Sequence, residues 1–257
     1  MTMIADLIDG RTDPLLIADR GAVRVVILNR PDARNALTRQ MRRDFAALLA
    51  EADADAAISV IVLTGADPAF SGGVDLRETI AGRAAPVEPN PGVALRRVAK
   101  PVIAAINGAC ITGALEMMLS CGFAIASDRA RFADTHGRVG LFPRWGQGML
   151  LTDAIGVRRA RQMMLTGLPV DAATALDWCL INEVVAHDTL IARALELAEA
   201  IAMTAGDHPL PFRLHVDMLR EIGAVRAAGA AVIERTMLHR FDEQRGIPHI
   251  GKQWDRM

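Results

Sequence analysis

Residues 100–122, KPVIAAINGACITGALEMMLSCG, change character twice, and the rest of the chain can be arranged around those two changes. Val102 to Ile106 is an apolar, β-favouring run that meets Asn107-Gly108, a dipeptide that turns a strand. Ile111-Thr112-Gly113 then opens onto a helical pattern carrying Ala114, Leu115, Met117, Met118 and Leu119. Thr112 is placed to cap this helix. Gly113 lets a ligand approach the backbone closely, so unpaired N–H groups of the first turn would face whatever binds there. Such a turn suits an anion or a developing oxyanion. Glu116 lies one turn inside the same apolar helix, where an ionised carboxylate is costly without partners or a task, and it is the first candidate for chemistry.

The 257 residues, 51% of them hydrophobic, suffice for one large core or for one domain with a small appendage. A net charge of −1 offers nucleic acid no basic footprint, and no Lys/Arg block suggests a membrane surface. Cys110, Cys121 and Cys179 are odd in number and stand among apolar neighbours, which points to packing in a reducing compartment rather than to disulfides or a metal. The first residues carry Asp6, Asp9 and Asp13 and lack the basic-then-apolar order of a signal peptide, so the expected location is the cytoplasm. Val102 to Ala126 is long enough for a membrane span. Asn107, Glu116, Ser120 and several glycines interrupt it, and a buried strand–helix–strand unit fits better.

Upstream, Leu15–Ala18 and Val23–Leu28 flank Asp19-Arg20-Gly21 as a β-hairpin would. After the polar loop 29–37, Thr38 is a plausible N-cap for a helix to about Ala54, with Met41, Phe45, Leu48 and Leu49 on one face. Ser59–Thr64 reads as a buried strand ending at Gly65. The Gly72-Gly73 pair then precedes Val74-Asp75 in GADPAFSGGVDLRE, where it permits positive φ and close backbone approach to a ligand. The same segment could equally be a plain Gly-rich loop, and it lacks the ending of a phosphate-binding P-loop. Residues 82–92, with Pro86, Pro89 and Pro91, read as a mobile surface loop.

Downstream, Phe123–Ser127 and Ala130–Ala133 read as strands, and 134–148 as a shaped loop rich in His, Asp, Arg and Trp. Helical segments are expected over 149–155, 158–165 and 171–178, the last capped by Asp171. A strand over 181–185 and amphipathic helices over 192–204 and 212–241 follow, broken near 206–209 and at Gly223. Alternating strands and helices followed by helices alone give an α/β core with an α-helical C-terminal part.

Four segments in order, LNRPDARNAL (28–37), GADPAFSGGVDLRE (65–78), KPVIAAINGACITGALEMMLSCGFAIAS (100–127) and RFADTHGRVGLFP (131–143), resemble the enoyl-CoA hydratase/isomerase, or crotonase, superfamily. The resemblance covers at least residues 23–185 and implies a crotonase-like spiral of ββα turns. It divides the chain into an α/β core over 1–205 and a C-terminal α-helical oligomerisation region over 206–257, associating as trimers or hexamers. It further implies acyl-CoA thioester chemistry of the fatty-acid type, with coenzyme A as part of the substrate and no metal or redox cofactor.

By position, the resemblance assigns the oxyanion hole to the backbone amides of Val74 and Gly113, in agreement with the glycine-permitted turns before both. It puts Ala33, Ala36, Gly72 and Gly73 along the coenzyme A path. Arg30, Arg34 and Arg77 are candidates for its phosphates by charge and place, and ordinary solvated arginines otherwise. Glu116 matches the first of the two glutamates with which hydratases of this family hold water, whereas His136 stands at the second. A histidine can donate or accept a proton at neutral pH, or serve only as a structural hydrogen-bonder, in which case Asp134 is the fallback. The expected activity is hydration of a 2-enoyl-CoA, or the reverse elimination, a hydro-lyase reaction. The alternatives are double-bond isomerisation, a non-catalytic acyl-CoA binder, or a scaffold whose glycines are only tight corners.

Overall fold

The computed structural model describes residues 3–80 and 89–243. A short helix α1 (Ile4–Ile8) precedes the antiparallel hairpin of β1 (Leu15–Arg20) and β2 (Val23–Leu28), and α2 (Arg39–Ala54) follows. Next come β3 (Val60–Gly65), β4 (Ala69–Ser71), α3 (Leu76–Ile80) and α4 (Pro91–Arg97), then β5 (Val102–Ile106), β6 (Ala109–Ile111) and α5 (Gly113–Leu119). The third such group is β7 (Phe123–Ser127), β8 (Arg131–Ala133) and α6 (Gln147–Thr166). The chain continues through β9 (Val170–Asp171), α7 (Ala172–Asp177), β10 (Glu183–Val185), α8 (Leu190–Asp207) and α9 (Pro209–Glu243).

Each strand–strand–helix group places its first strand in one sheet and its second in another. The six-stranded sheet runs β1-β2-β3-β5-β7-β10 and the four-stranded sheet β4-β6-β8-β9, with β3, β5 and β7 parallel to one another and β4, β6 and β8 likewise. This is the expected ββα spiral. The central strands of the large sheet are buried on both faces, which is why they read as unbroken apolar runs. Their side chains nevertheless alternate: Val25, Ile27, Val60, Val62 and Ile103 enter the core under α8, whereas Val26, Leu28, Ile61, Leu63 and Ala104 enter the larger core facing α2 and α5.

The helix boundaries follow their local signals. Thr38 Oγ1 accepts from the Met41 N–H at 3.1 Å, a cap of about 1 kcal/mol, and Asp171 Oδ1 accepts from the Thr174 N–H at 2.8 Å. The two helical segments expected over 149–155 and 158–165 are the two arms of α6, kinked at Gly156, where φ is 77° and ψ is 157°. Gly223, expected as a break, lies within the continuous α9. Residues 82–88 of the expected surface loop, and the tail from 244, lie outside the described residues. Pro91 and Gly92 are buried and begin α4, because Asn90 caps that helix by accepting from the Val93 N–H at 2.9 Å. Cys179 is exposed, so the apolar setting expected for all three cysteines holds for Cys110 and Cys121 alone. Burial pushes the Cys121 thiol up to about 12.

Candidate active site

The turn after β4 and the turn after β6 lie against each other because their strands are neighbours in the small sheet. Val74 pairs in parallel with Leu37: the Leu37 N–H donates to Gly73 O at 2.8 Å, and the Asp75 N–H to Leu37 O at 3.0 Å. Gly73 has φ of 86°, and a β-carbon there would stand 2.8 Å from Ile111 O and 3.1 Å from Gly113 N. Only glycine allows this approach. Ser71 Oγ, fully buried, accepts from the Gly73 N–H at 3.1 Å and donates to Asn35 O at 2.8 Å, which fixes the turn from below. Among the described residues, neither the Val74 nor the Gly113 amide donates to a main-chain carbonyl. The fold thus brings residues 73–74 and 113 together.

Thr112 does not cap α5 as expected. Its backbone adopts φ 58° and ψ −109°, and no cap bond forms from its side chain. Instead Thr112 Oγ1 lies 2.6 Å from Thr135 Oγ1 and accepts from the Thr135 N–H at 3.2 Å. A positive φ is unusual for a β-branched residue and is held here by contacts on both sides, with the Thr112 N–H donating to Ala133 O at 2.9 Å.

Glu116, 1% exposed, lies one turn along α5 from Gly113. Its Oε1 accepts from the main-chain N–H of Trp145 at 2.7 Å and of Gln147 at 3.2 Å. These amides lie at the start of α6, where unpaired N–H groups and the helix dipole favour a negative charge, and they are the partners a buried carboxylate requires. Glu116 Oε2 stands 3.6 Å from His136 Nε2. On the other side of the imidazole, Nδ1 is 2.7 Å from Asp134 Oδ1, which also accepts from the His136 N–H at 3.0 Å. With Nδ1–H donating to Asp134, Nε2 faces Glu116. All three side chains are buried. The arrangement can pass a proton between His136 and Glu116, the latter on the helix that opens where the turns at 73–74 and 113 meet.

Comparison with known proteins agrees with this fold. A family model described as enoyl-CoA hydratase/isomerase matches residues 19–246. The chain belongs to the enoyl-CoA hydratase/isomerase family. A probable peroxisomal enoyl-CoA hydratase 1 of Arabidopsis thaliana is 38% identical over 186 residues, covering 71% of this chain and 70% of the relative. A probable enoyl-CoA hydratase of Rhizobium meliloti is 38% identical over 196 residues, 74% of this chain and 76% of the relative. The crystal structure of an enoyl-CoA hydratase from Mycobacterium tuberculosis H37Rv superposes with a TM-score of 0.82 at 43% identity, covering 90% of this chain and all of that one.

Within this enoyl-CoA hydratase/isomerase fold, the residues expected along the coenzyme A path come together. The loop 30–37 runs beside 71–75, and the Gly72 N–H donates to Arg34 O at 2.8 Å, which places Ala33 and Ala36 near Gly72 and Gly73. Arg30 is half-buried and engaged: its guanidinium donates to Ala36 O at 2.5 Å and pairs with Asp75 at 3.0 Å. Arg34 and Arg77 are exposed and remain the two surface cations among the candidates. The Trp145 and Gln147 amides, which hold Glu116, escaped the sequence reading, since a main-chain donor leaves no residue signature. The signal that could have found them is the onset of a helix directly after the 134–146 loop.

Proposed function

We propose that this protein adds water to a 2-enoyl-CoA thioester, or removes it, with coenzyme A entering as part of the substrate and no separate cofactor. The observation that carries this reading is the pairing of Glu116 Oε2 with His136 Nε2 across 3.6 Å, backed by Asp134. Moving a double bond needs one base, whereas hydration needs two groups to orient a water and to move its proton, and two are present. The thioester oxygen is held by the Val74 and Gly113 amides. Water attacks C3 while Glu116 takes its proton; the enolate charge rests on the oxyanion donors; the proton then returns to C2 with His136 assisting. Hydroxide is added at C3 and a proton at C2, and the site ends in the protonation state in which it began.

Ala33, Ala36, Gly72 and Gly73 line the coenzyme A path in this reading, and Arg34 and Arg77 meet its phosphates, with Arg30 positioning the loop through Asp75. The reading extends to a cytoplasmic setting, supported by three free cysteines, of which Cys110 is buried and Cys121 partly buried. It also extends to association as trimers or hexamers through the region after residue 205, supported by the apolar side chains exposed along α9.

The test is Glu116→Gln assayed against crotonyl-CoA. A loss of kcat of at least about 10²-fold is expected, the scale of a general base. Unchanged turnover rejects the role of Glu116, and turnover of a 3-enoyl-CoA without water incorporation selects isomerisation. Tight acyl-CoA binding by the wild type without turnover of either substrate selects a binding protein.

A further inference from the structure

Trp145 touches both halves of the site. Its main-chain N–H holds Glu116, as above, while its carbonyl accepts from Arg96 Nη1 at 2.8 Å, so the peptide is pinned from both sides. The same Arg96 nitrogen reaches Ser120 Oγ at 2.7 Å on the residue after α5. The indole lies on Gly113: a β-carbon there would meet Cζ3 at 3.0 Å, Cη2 at 3.4 Å and Cε3 at 3.6 Å. The six-membered ring is therefore the surface immediately beside the residue whose amide is assigned to the thioester oxygen. The ring is 6% exposed and belongs to the core that contains Ala94, Leu95 and Val98 near α4 and Leu151 and Ile155 of α6. Behind it is packed protein. A β-carbon built on Gly92 would stand 2.9 Å from that of Trp145 and 2.9 Å from its carbonyl oxygen, so the start of α4 packs against the base of the side chain.

We propose that the indole of Trp145 is the end wall of the acyl subsite and restricts the enzyme to short-chain thioesters. The inference rests on the hydration reading for the placement of C2 and C3. A carbonyl held at Gly113, with the reacting carbons beside Glu116, leaves the remainder of the acyl chain facing the ring. Close-packed interiors do not yield to added methylenes without displacement of side chains, so each further carbon has to move a buried indole. Trp145 acts on specificity through its side chain and on Glu116 through its backbone, and the two roles can be separated because substitution leaves the amide in place.

The experiment compares wild type, Trp145→Phe and Trp145→Ala on crotonyl-, hexenoyl- and octenoyl-CoA. Wild type is expected to favour crotonyl- over octenoyl-CoA by at least about tenfold in kcat/KM, the scale on which a pocket discriminates by methylenes. The preference should shrink in Trp145→Phe and shrink further or invert in Trp145→Ala. Calorimetry with butyryl- and octanoyl-CoA reads the same ratio as affinity, so it tests the wall even if no enoyl thioester is turned over and the hydration reading fails. Equal use of both chain lengths by wild type overturns the inference. So does a uniform loss across all lengths in Trp145→Phe, the outcome of a purely structural ring, since this variant retains most of the packing.

Discussion

At the scale of single residues, the site depends on what holds each proton-carrying group. His136 takes its orientation from Asp134, whose one oxygen serves both the ring Nδ1 and the His136 main-chain N–H. Asp134→Asn keeps the size of the side chain but offers the ring a weaker, neutral partner that can present either an acceptor or a donor. Without the carboxylate, the tautomer protonated at Nδ1 is no longer enforced. The expected outcome is a fall in kcat of at least about tenfold, within the range that acid–base groups contribute, with KM changing little. Steady-state kinetics on crotonyl-CoA decides it: a rise in KM at constant kcat would make Asp134 a part of the binding surface alone. Glu116 was legible in the sequence because a carboxylate inside an apolar helix needs an explanation. His136 and Asp134 were legible as neighbours, but their order of contact was not, because two residues along a loop fix no direction for the side chains.

At the scale of elements, the site exists because two short parallel strands carry two turns to the same place. Strands β4 and β6 are three residues each, AFS and ACI, too short for any period to show, and the sequence reading passed over both. The longer strands β3, β5 and β7 were readable because burial on both faces makes an uninterrupted apolar run. Thr112 shows the opposite failure: a threonine ahead of a helix is ordinarily a cap, and nothing in the sequence announces that its backbone would take positive φ and its hydroxyl turn to Thr135. The joint between the turns can be tested at Gly73. In Gly73→Ala, a β-carbon would press on Ile111 O at 2.8 Å and on Gly113 N at 3.1 Å, in a conformation that alanine resists. The turns must move apart, separating the two amides. A loss of about 10²–10³ in kcat/KM is expected, together with roughly 1–3 kcal/mol of stability from the strained backbone. Denaturant titration beside the kinetics separates the two effects. Full activity in a destabilised variant would show that the amides of 74 and 113 do not work as a pair.

At the scale of the whole molecule, α9 exposes large apolar side chains to solvent. This helix packs on α6 and α8 of its own chain. Yet Leu210, Leu214, Met218 and Ile222, four residues apart in sequence and so along one helix face, are each about half exposed. An exposed apolar stripe is a surface that the proposed association would bury against a second copy. The stripe bears on the active site through α6, whose first amide helps to hold Glu116 and which packs against α9. An assembly that covers α9 would therefore also support the element on which the carboxylate rests. Replacing Leu214 and Met218 together by glutamate puts two charges into the stripe, where burial would leave them desolvated and unpaired. Wild type is expected to sediment as a multiple of the 27.6 kDa protomer and the double variant as the protomer itself, with reduced kcat on crotonyl-CoA as α6 loses its support. A wild type that sediments as a single protomer at micromolar concentration removes the association reading. A double variant that dissociates at full activity leaves association intact but cuts its link to Glu116.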